Sequence, residues 1–161
     1  MKTIAIPIET KVREFDGKLW LGLHLIQRGH QVILGSSSEI KNSLHITEPD
    51  IYITKDIGDS GIEFVNSLRA TGIIGCGLNT EGAVFKSMDQ YASNKHRILS
   101  HLDALFSWGA IPAESISQHY DDASNVHVTG NPRFDLLQPH LRFIYQNRAK
   151  PINERYGDYI L

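Results

Sequence analysis

Val126-His127-Val128-Thr129-Gly130-Asn131-Pro132-Arg133-Phe134-Asp135 is the stretch that decides the fold of this 161-residue chain. A short β-type run, a glycine, an Asn-Pro step and then a helical pattern read as a strand-to-helix turn. Gly130 can take a positive φ and let a ligand approach the backbone closely. Pro132 suits the first turn of a helix, where its missing N–H has no partner to lose. Such a turn aims backbone N–H groups above the sheet, a setting that favours anionic or polar ligands. A tight turn with no ligand has the same local sequence, so its place in the chain decides between the two.

Working back towards the N-terminus, strands and helices alternate. Thr3 to Ile8 reads as a first strand ending near Glu9, with Pro7 tolerable near the end of a strand or at a sheet edge. From Glu14 to Arg28, Leu19, Leu23 and Ile26 recur at helical spacing with Trp20 beside them, and Glu14 and Lys18 form an i,i+4 pair. Gly29 stops that helix, and Gln31 to Gly35 is a second strand. Ser36 to Ser38 cap a short helix reaching about Leu44. Ile51 to Thr54 is a third strand, with a helix from Ile62 to Ala70. Gly72 to Gly77 is a fourth, followed by a loop from Leu78 to Phe85 and a helix between Met88 and Leu102. Ala104 to Gly109 is a fifth, with a helix after Pro112. The sixth is Val126 to Thr129, leading into a helix near Asp135 to Gln146. Gly157 to Leu161 reads as one strand more.

This alternation predicts an α/β, doubly wound, mostly parallel Rossmann-like sheet of six to seven strands flanked by helices. Residues 1–156 form one domain on this reading, and 157–161 read as the start of a second. Ligands of such sheets bind outside the carboxyl ends of the strands. That rule singles out Glu9, Gly35, Asp56, Asn79 to Gly82, Trp108-Gly109 and Gly130-Asn131.

The composition sets limits. Hydrophobic content of 41% with 21% charged residues is ordinary for a soluble globular domain. A net charge of −2 with no Lys/Arg block argues against a nucleic-acid partner. Cys76 is the sole cysteine, which rules out an intramolecular disulfide and a cysteine-based metal site. The eight histidines show no metal-ligand spacing. The N-terminus lacks the apolar region of a signal peptide, and no stretch approaches the length of a membrane span. A cytoplasmic domain is expected, with a peripheral contact at the inner face of the membrane left open.

The densest charged stretch, Glu9-Thr10-Lys11-Val12-Arg13-Glu14-Phe15-Asp16-Gly17-Lys18, fills the first strand-to-helix connection. Lys11, Arg13 and Lys18 could hold a phosphate or carboxylate, with Arg offering a bidentate fork. Glu9, just past the strand, could act as a general base toward a substrate hydroxyl. The competing reading is a solvated loop whose Glu14 and Asp16 complement the helix dipole. After the fourth strand, Glu81 followed by Gly82 places a second carboxylate at a tight turn. Trp108, beside the flexible Gly109, could stack on a sugar face or serve as a core tryptophan. No dinucleotide fingerprint, P-loop or nucleophile elbow is present, and Cys76 reads as a buried strand thiol.

Three stretches resemble one family. They are Ile6-Pro7-Ile8-Glu9-Thr10-Lys11-Val12-Arg13-Glu14-Phe15-Asp16-Gly17-Lys18-Leu19, Arg28-Gly29-His30-Gln31-Val32 and Thr129 to Asp135. Together they resemble the bacterial surface carbohydrate biosynthesis proteins, which are similar to GT-B glycosyltransferases with two Rossmann-like domains and a cleft between them. The resemblance runs from Ile4 to Leu161 and implies an N-terminal, acceptor-binding domain. It implies a glycan or glycolipid acceptor, a C-terminal domain that holds a nucleotide-sugar donor, and no cofactor bound by this half alone. Glu9 and Glu81 would then be the catalytic carboxylates. Lys11, Arg13, Lys18 and Trp108 would meet the acceptor and its anions, and Gly109, Gly130, Asn131 and Arg133 would line the cleft. The family's loop after the fourth strand usually carries an acidic pair before Glu-Gly, where this chain has Asn79-Thr80-Glu81-Gly82. Two alternatives accompany this reading: half of a nucleotide-sugar epimerase, and a non-catalytic glycan-binding or regulatory module. A surface shaped for a second domain would also allow a homodimer.

Overall fold

The computed structural model describes residues 1–55, 58–79, 87–120 and 122–157. In chain order the elements are β1 (Thr3–Ile8), α1 (Lys11–Gln27), β2 (Gln31–Ser36), α2 (Ser37–Asn42), α3 (Leu44–Thr47) and β3 (Ile51–Thr54). They continue with α4 (Ile62–Ala70), β4 (Ile74–Leu78), α5 (Met88–Leu99), β5 (Ala104–Ser107), α6 (Ala110–His119), β6 (Val126–Val128), α7 (Pro132–Asp135) and α8 (Gln146–Tyr156). Short 3-10 segments cover Asp59–Gly61 and Pro139–Tyr145.

All described strand pairs are parallel, in the order β2-β1-β3-β4-β5-β6. The expected doubly wound α/β fold is therefore the one observed. The order reverses direction at β1, so the crossover through α1 lies on one face while those from β2 onward lie on the other. Strand alternation divides the core accordingly. Ile4, Ile6, Ile53 and Leu78 pack toward Leu21 and Leu25 of α1. Ala5 and Tyr52 pack the opposite way, against Ile40 and Leu68. A further cluster joins Leu105 to Tyr91, Ile98 and Ile116 beneath α5 and α6.

Two sequence expectations shift. Helix α1 begins at Lys11, three residues before Glu14, because the Thr10 carbonyl accepts the N–H groups of Arg13 at 3.1 Å and Glu14 at 2.9 Å. The charged stretch is thus the first turns of a helix. Its inward face is not the Leu19-Leu23-Ile26 stripe, which is 38–53% exposed. The buried positions are Glu14, Gly17, Lys18 and Gly22. Close packing explains the choice: a Cβ on Gly17 would lie 3.1 Å from the Cα and N of Arg133, and one on Gly22 3.3 Å from Val32. Glycine at both positions lets α1 approach α7 and β2 this closely without either neighbour giving way.

The helix expected from Asp135 to Gln146 is broken. Gln138 is extended at ψ 141°, as the residue before a proline prefers, and Pro139 opens the 3-10 segment that leads into α8. Pro7 lies near the end of β1, beyond the Ile4 and Ala5 pairings with β3, so a central strand tolerates it. The strand expected after Gly157 and the loop carrying Glu81 lie outside the described residues.

Candidate functional site

The reversal of strand order between β1 and β3 opens a crevice at their carboxyl ends, where doubly wound sheets take ligands. A connected set of charges stands there. Glu14, with 3% of its side chain exposed, receives Lys18 Nζ at 2.7 Å from one helical turn on. The same Oε2 accepts the Glu9 N–H at 3.1 Å. Lys18 also donates to the Pro7 carbonyl. Lys55, immediately after β3, binds the Glu9 carboxylate and lies 3.4 Å from Glu14 Oε1, while Arg13 sits 3.5 Å from the same oxygen. Three cations meet two carboxylates, leaving one positive charge in excess.

The protonation states follow from these contacts. Burial alone would raise the Glu14 pKa. The Lys18 hydrogen bond, the Glu9 N–H and the charges of Lys18 and Lys55 outweigh it and hold the carboxyl at about 2. Burial lowers the Lys18 pKa, with Glu14 opposing. Burial also works to lower Lys55, but the Glu9 hydrogen bond and the charges of Glu14 and Glu9 raise it on balance. Glu14 is therefore ionised throughout the physiological range.

The facing wall is the turn that decided the fold. Gly130 adopts φ 84°, the left-handed conformation expected of it. Asn131, 5% exposed, accepts the Arg133 N–H at 3.0 Å and caps α7, with Pro132 in the first turn. The N–H groups of Thr129 and Gly130 both donate to the Ser107 carbonyl, at 3.0 and 3.2 Å. The turn therefore spends these amide donors inside the fold and does not aim them at a ligand. Arg13, Glu14, Gly17 and Lys18 of α1 face Asn131, Pro132 and Arg133 across a slot of about 20 Å³, enough for one water.

Arg13, Lys18, Asn131 and Arg133 thus share one crevice, and Glu9 joins it through Lys55 and Glu14. Lys18 is buried, with its ammonium committed to Glu14 and Pro7, so its role there is to hold the hub together. Lys11 is exposed and lies 5.9 Å over the Phe15 ring. Trp108 is half-buried and meets Phe134 edge-on at 6.3 Å. Gly109 caps α6 with extended backbone. Glu81 and Asp56 fall outside the described residues. Asn79 is buried and donates to Tyr91 Oη.

Sequence reasoning missed Lys55. It directly follows an apolar strand, which places it at the carboxyl edge of the sheet, but nothing local names its partners Glu9 and Glu14. At the opposite edge of the sheet, Asp50 accepts the Thr3 N–H and Asp103 the Gly75 N–H, each at 2.8 Å, which are structural ties. Below the crevice an apolar cavity of about 330 Å³ runs between α1 and the sheet. Cys76 lines it, 6% exposed, with burial and then Asp103 pushing its thiol up to about 11.

Fold and site together define a doubly wound α/β domain with a charged crevice at its topological switch point. No model of a known protein family matches the chain, and no curated protein matches it. Among the described residues no helix is long and apolar enough to cross a membrane, and no His/Cys/Asp/Glu group is arranged to hold a metal.

Proposed function

We propose that this domain is the acceptor-binding half of a glycosyltransferase that builds a surface polysaccharide or glycolipid, working on the cytoplasmic face of the membrane. The observation that carries the reading is that Arg13, Asn131 and Arg133 line one slot at the carboxyl edge of the sheet, with Glu9 linked to it through Lys55 and Glu14. The resemblance of the Glu9–Lys18 stretch to surface carbohydrate biosynthesis proteins supports it from the sequence.

In this reading Glu9 takes the proton of, or orients, the acceptor hydroxyl as that oxygen attacks the sugar's anomeric carbon. Its ion pair with Lys55 uses Oε2 and fixes the direction of the carboxylate. Arg13 and Arg133 meet acceptor or leaving-group anions. A second domain supplies the nucleotide-sugar. The test joins this domain to a donor-binding domain and assays transfer from a panel of nucleotide-sugars, with Glu9→Gln in parallel. Sugar transfer that depends on Glu9 is the expected result. A folded, joined protein that transfers no sugar ends the reading.

A further inference from the structure

The apolar cavity between α1 and the sheet has one charged group in its lining, the carboxylate of Asp135. We propose that this cavity binds a small lipophilic amine, its hydrocarbon body between α1 and the sheet and its ammonium on Asp135. The site stands apart from the transferase reading, which uses the slot between α1 and α7, and its test needs no transfer assay.

The cavity comes from packing that stops short. Helix α7 lies against α1 at Gly17, but it lasts four residues before the extended Gln138 and Pro139 divert the chain. The α1 face of β3, β4 and β5 is left lining a cavity of about 330 Å³, within the range of small-molecule sites. Leu21 and Leu25 form its roof, and Ile51, Ile53, Cys76 and Phe106 its floor. These walls offer hydrocarbon contact, and Cys76 stays a neutral thiol because burial and then Asp103 push its pKa up to about 11. Water would find too few polar partners there, and a sugar or nucleotide base would leave its polar atoms unsatisfied. A hydrocarbon body gains by entering.

The rim selects the head group. Thr129 and Gly130 line it, but their N–H groups both donate to the Ser107 carbonyl, at 3.0 and 3.2 Å. The Thr129 hydroxyl donates to the Gly130 carbonyl at 3.3 Å, and Pro132 has no N–H to give. These donors are already taken inside the fold, so they do not hold an anionic or carbonyl head. Asp135 is exposed, and its carboxylate has no hydrogen bond or ion pair among the described residues. A carboxylate at the mouth of a hydrocarbon cavity repels a carboxylate or phosphate head and attracts an ammonium. An ammonium also brings only donors, which matches an ionised carboxylate that only accepts.

Three adamantane derivatives share one hydrocarbon body and differ in the head: the 1-amine, the 1-alcohol and the 1-carboxylate. Calorimetric titration of the 161-residue chain with each, at low salt, gives the affinities. Saturable 1:1 binding of the amine is expected, about fivefold tighter than the alcohol and at least about tenfold tighter than the carboxylate. Asp135→Asn, an exposed change, should bring the three affinities within about twofold of one another. Ile51→Phe, which suits a strand and fills the cavity, should weaken all three. Cys76, the sole cysteine and part of the cavity floor, places the ligand. Its reaction with methyl methanethiosulfonate should slow at least about fivefold when the amine is saturating, since the thiol is then covered. Absence of amine binding, an alcohol or carboxylate that binds as tightly, or an amine preference that survives Asp135→Asn overturns the proposal. So does amine binding that leaves Cys76 as reactive as before, which puts the ligand elsewhere on the surface. Protection of Cys76 that rises with protein concentration alone also overturns it, and assigns the cavity to a second copy of the chain.

Discussion

Glu14 and Lys18 stand one turn apart on the inner face of α1, and their 2.7 Å ion pair is buried at both ends, with 3% and 5% of the side chains exposed. The pair does what a surface i,i+4 pair does not. It anchors the Glu9 N–H and the Pro7 carbonyl, and so fixes how the chain leaves β1. Removing one partner should be far worse than removing both, because a lone buried charge has no compensation. Glu14→Gln should lower unfolding free energy by about 3–5 kcal/mol in urea denaturation, and the Glu14→Met/Lys18→Met pair should recover most of the loss. A single variant as stable as the parent would show that the pair is not buried in solution.

The same carboxyl sets an acid limit. Its pKa in the fold is about 2 against an ordinary 4.5, so the unfolded chain binds more protons between those values. Stability from Glu14 is complete above about pH 4.5 and disappears as pH falls toward 2. The amount is about 3 kcal/mol. Chemical denaturation at pH steps through this window should show the loss, and Glu14→Gln should flatten it. An unchanged slope in that variant would assign the acid sensitivity to other carboxylates.

How much of this was legible in the sequence depends on which physical signal each element carries. The six strands were, because short apolar runs bounded by glycines and caps mark buried parallel strands whatever surrounds them. The buried face of α1 was not. Its apolar residues sit at helical spacing, yet Gly17 and Gly22 turn inward because the helix must come within glycine distance of α7 and β2. Periodicity detects a helix, and close approach chooses its face. Gly130 and Asn131 were readable because their chemistry is local: a left-handed glycine and an Asn cap. Lys55 was hidden, since its partners Glu9 and Glu14 are more than forty residues away in sequence. The break before Pro139 was visible as a proline but was overridden by the apolar run that follows it.

Gly17 makes the helix-packing argument testable. An alanine Cβ there would sit 3.1 Å from the backbone of Arg133, and backbone cannot move aside as a flexible side chain can. Alanine's better helix propensity offsets about 1 kcal/mol of the clash. Gly17→Ala should still be destabilising, by about 1–2 kcal/mol net, and Gly17→Val more so. Thermal or urea unfolding of the two variants checks the order. A stabilised Gly17→Ala would mean that α1 and α7 stand further apart than described.

Gly130 tests backbone conformation without packing. A Cβ there meets nothing within 4 Å, but φ is 84°, which L-residues seldom adopt. Gly130→Ala should therefore cost about 1–2 kcal/mol through the backbone alone. Gly130→Asn should cost less, since asparagine tolerates the left-handed region better. Equal losses for the two would point to a steric cause. Neither change should alter the Glu14 acid profile, because Lys18, the Glu9 N–H and Lys55 set that carboxyl's pKa.

The chemical prediction concerns Glu9, measured in an enzyme that joins this domain to a donor-binding half. Glu9→Gln keeps the side chain's size but can no longer accept a proton as a carboxylate does. If Glu9 is the general base, turnover should fall about 10²–10⁴-fold. Acceptor affinity should change little, since the loss belongs to the transition state. Stability should also move little. Glu9 has 45% of its side chain exposed, and Lys55 keeps Glu14 at 3.4 Å when the Glu9 charge is removed. Exposed ion pairs of this kind contribute about 1 kcal/mol or less. Lys55→Met separates orientation from basicity. It leaves the carboxylate in place but unheld, so turnover should fall less than in Glu9→Gln. Matching losses of melting temperature and activity in Glu9→Gln would make the residue an anchor for the start of α1. Near-normal turnover with intact folding would transfer the role to Glu81, whose Glu81→Gln counterpart should be measured in the same assay.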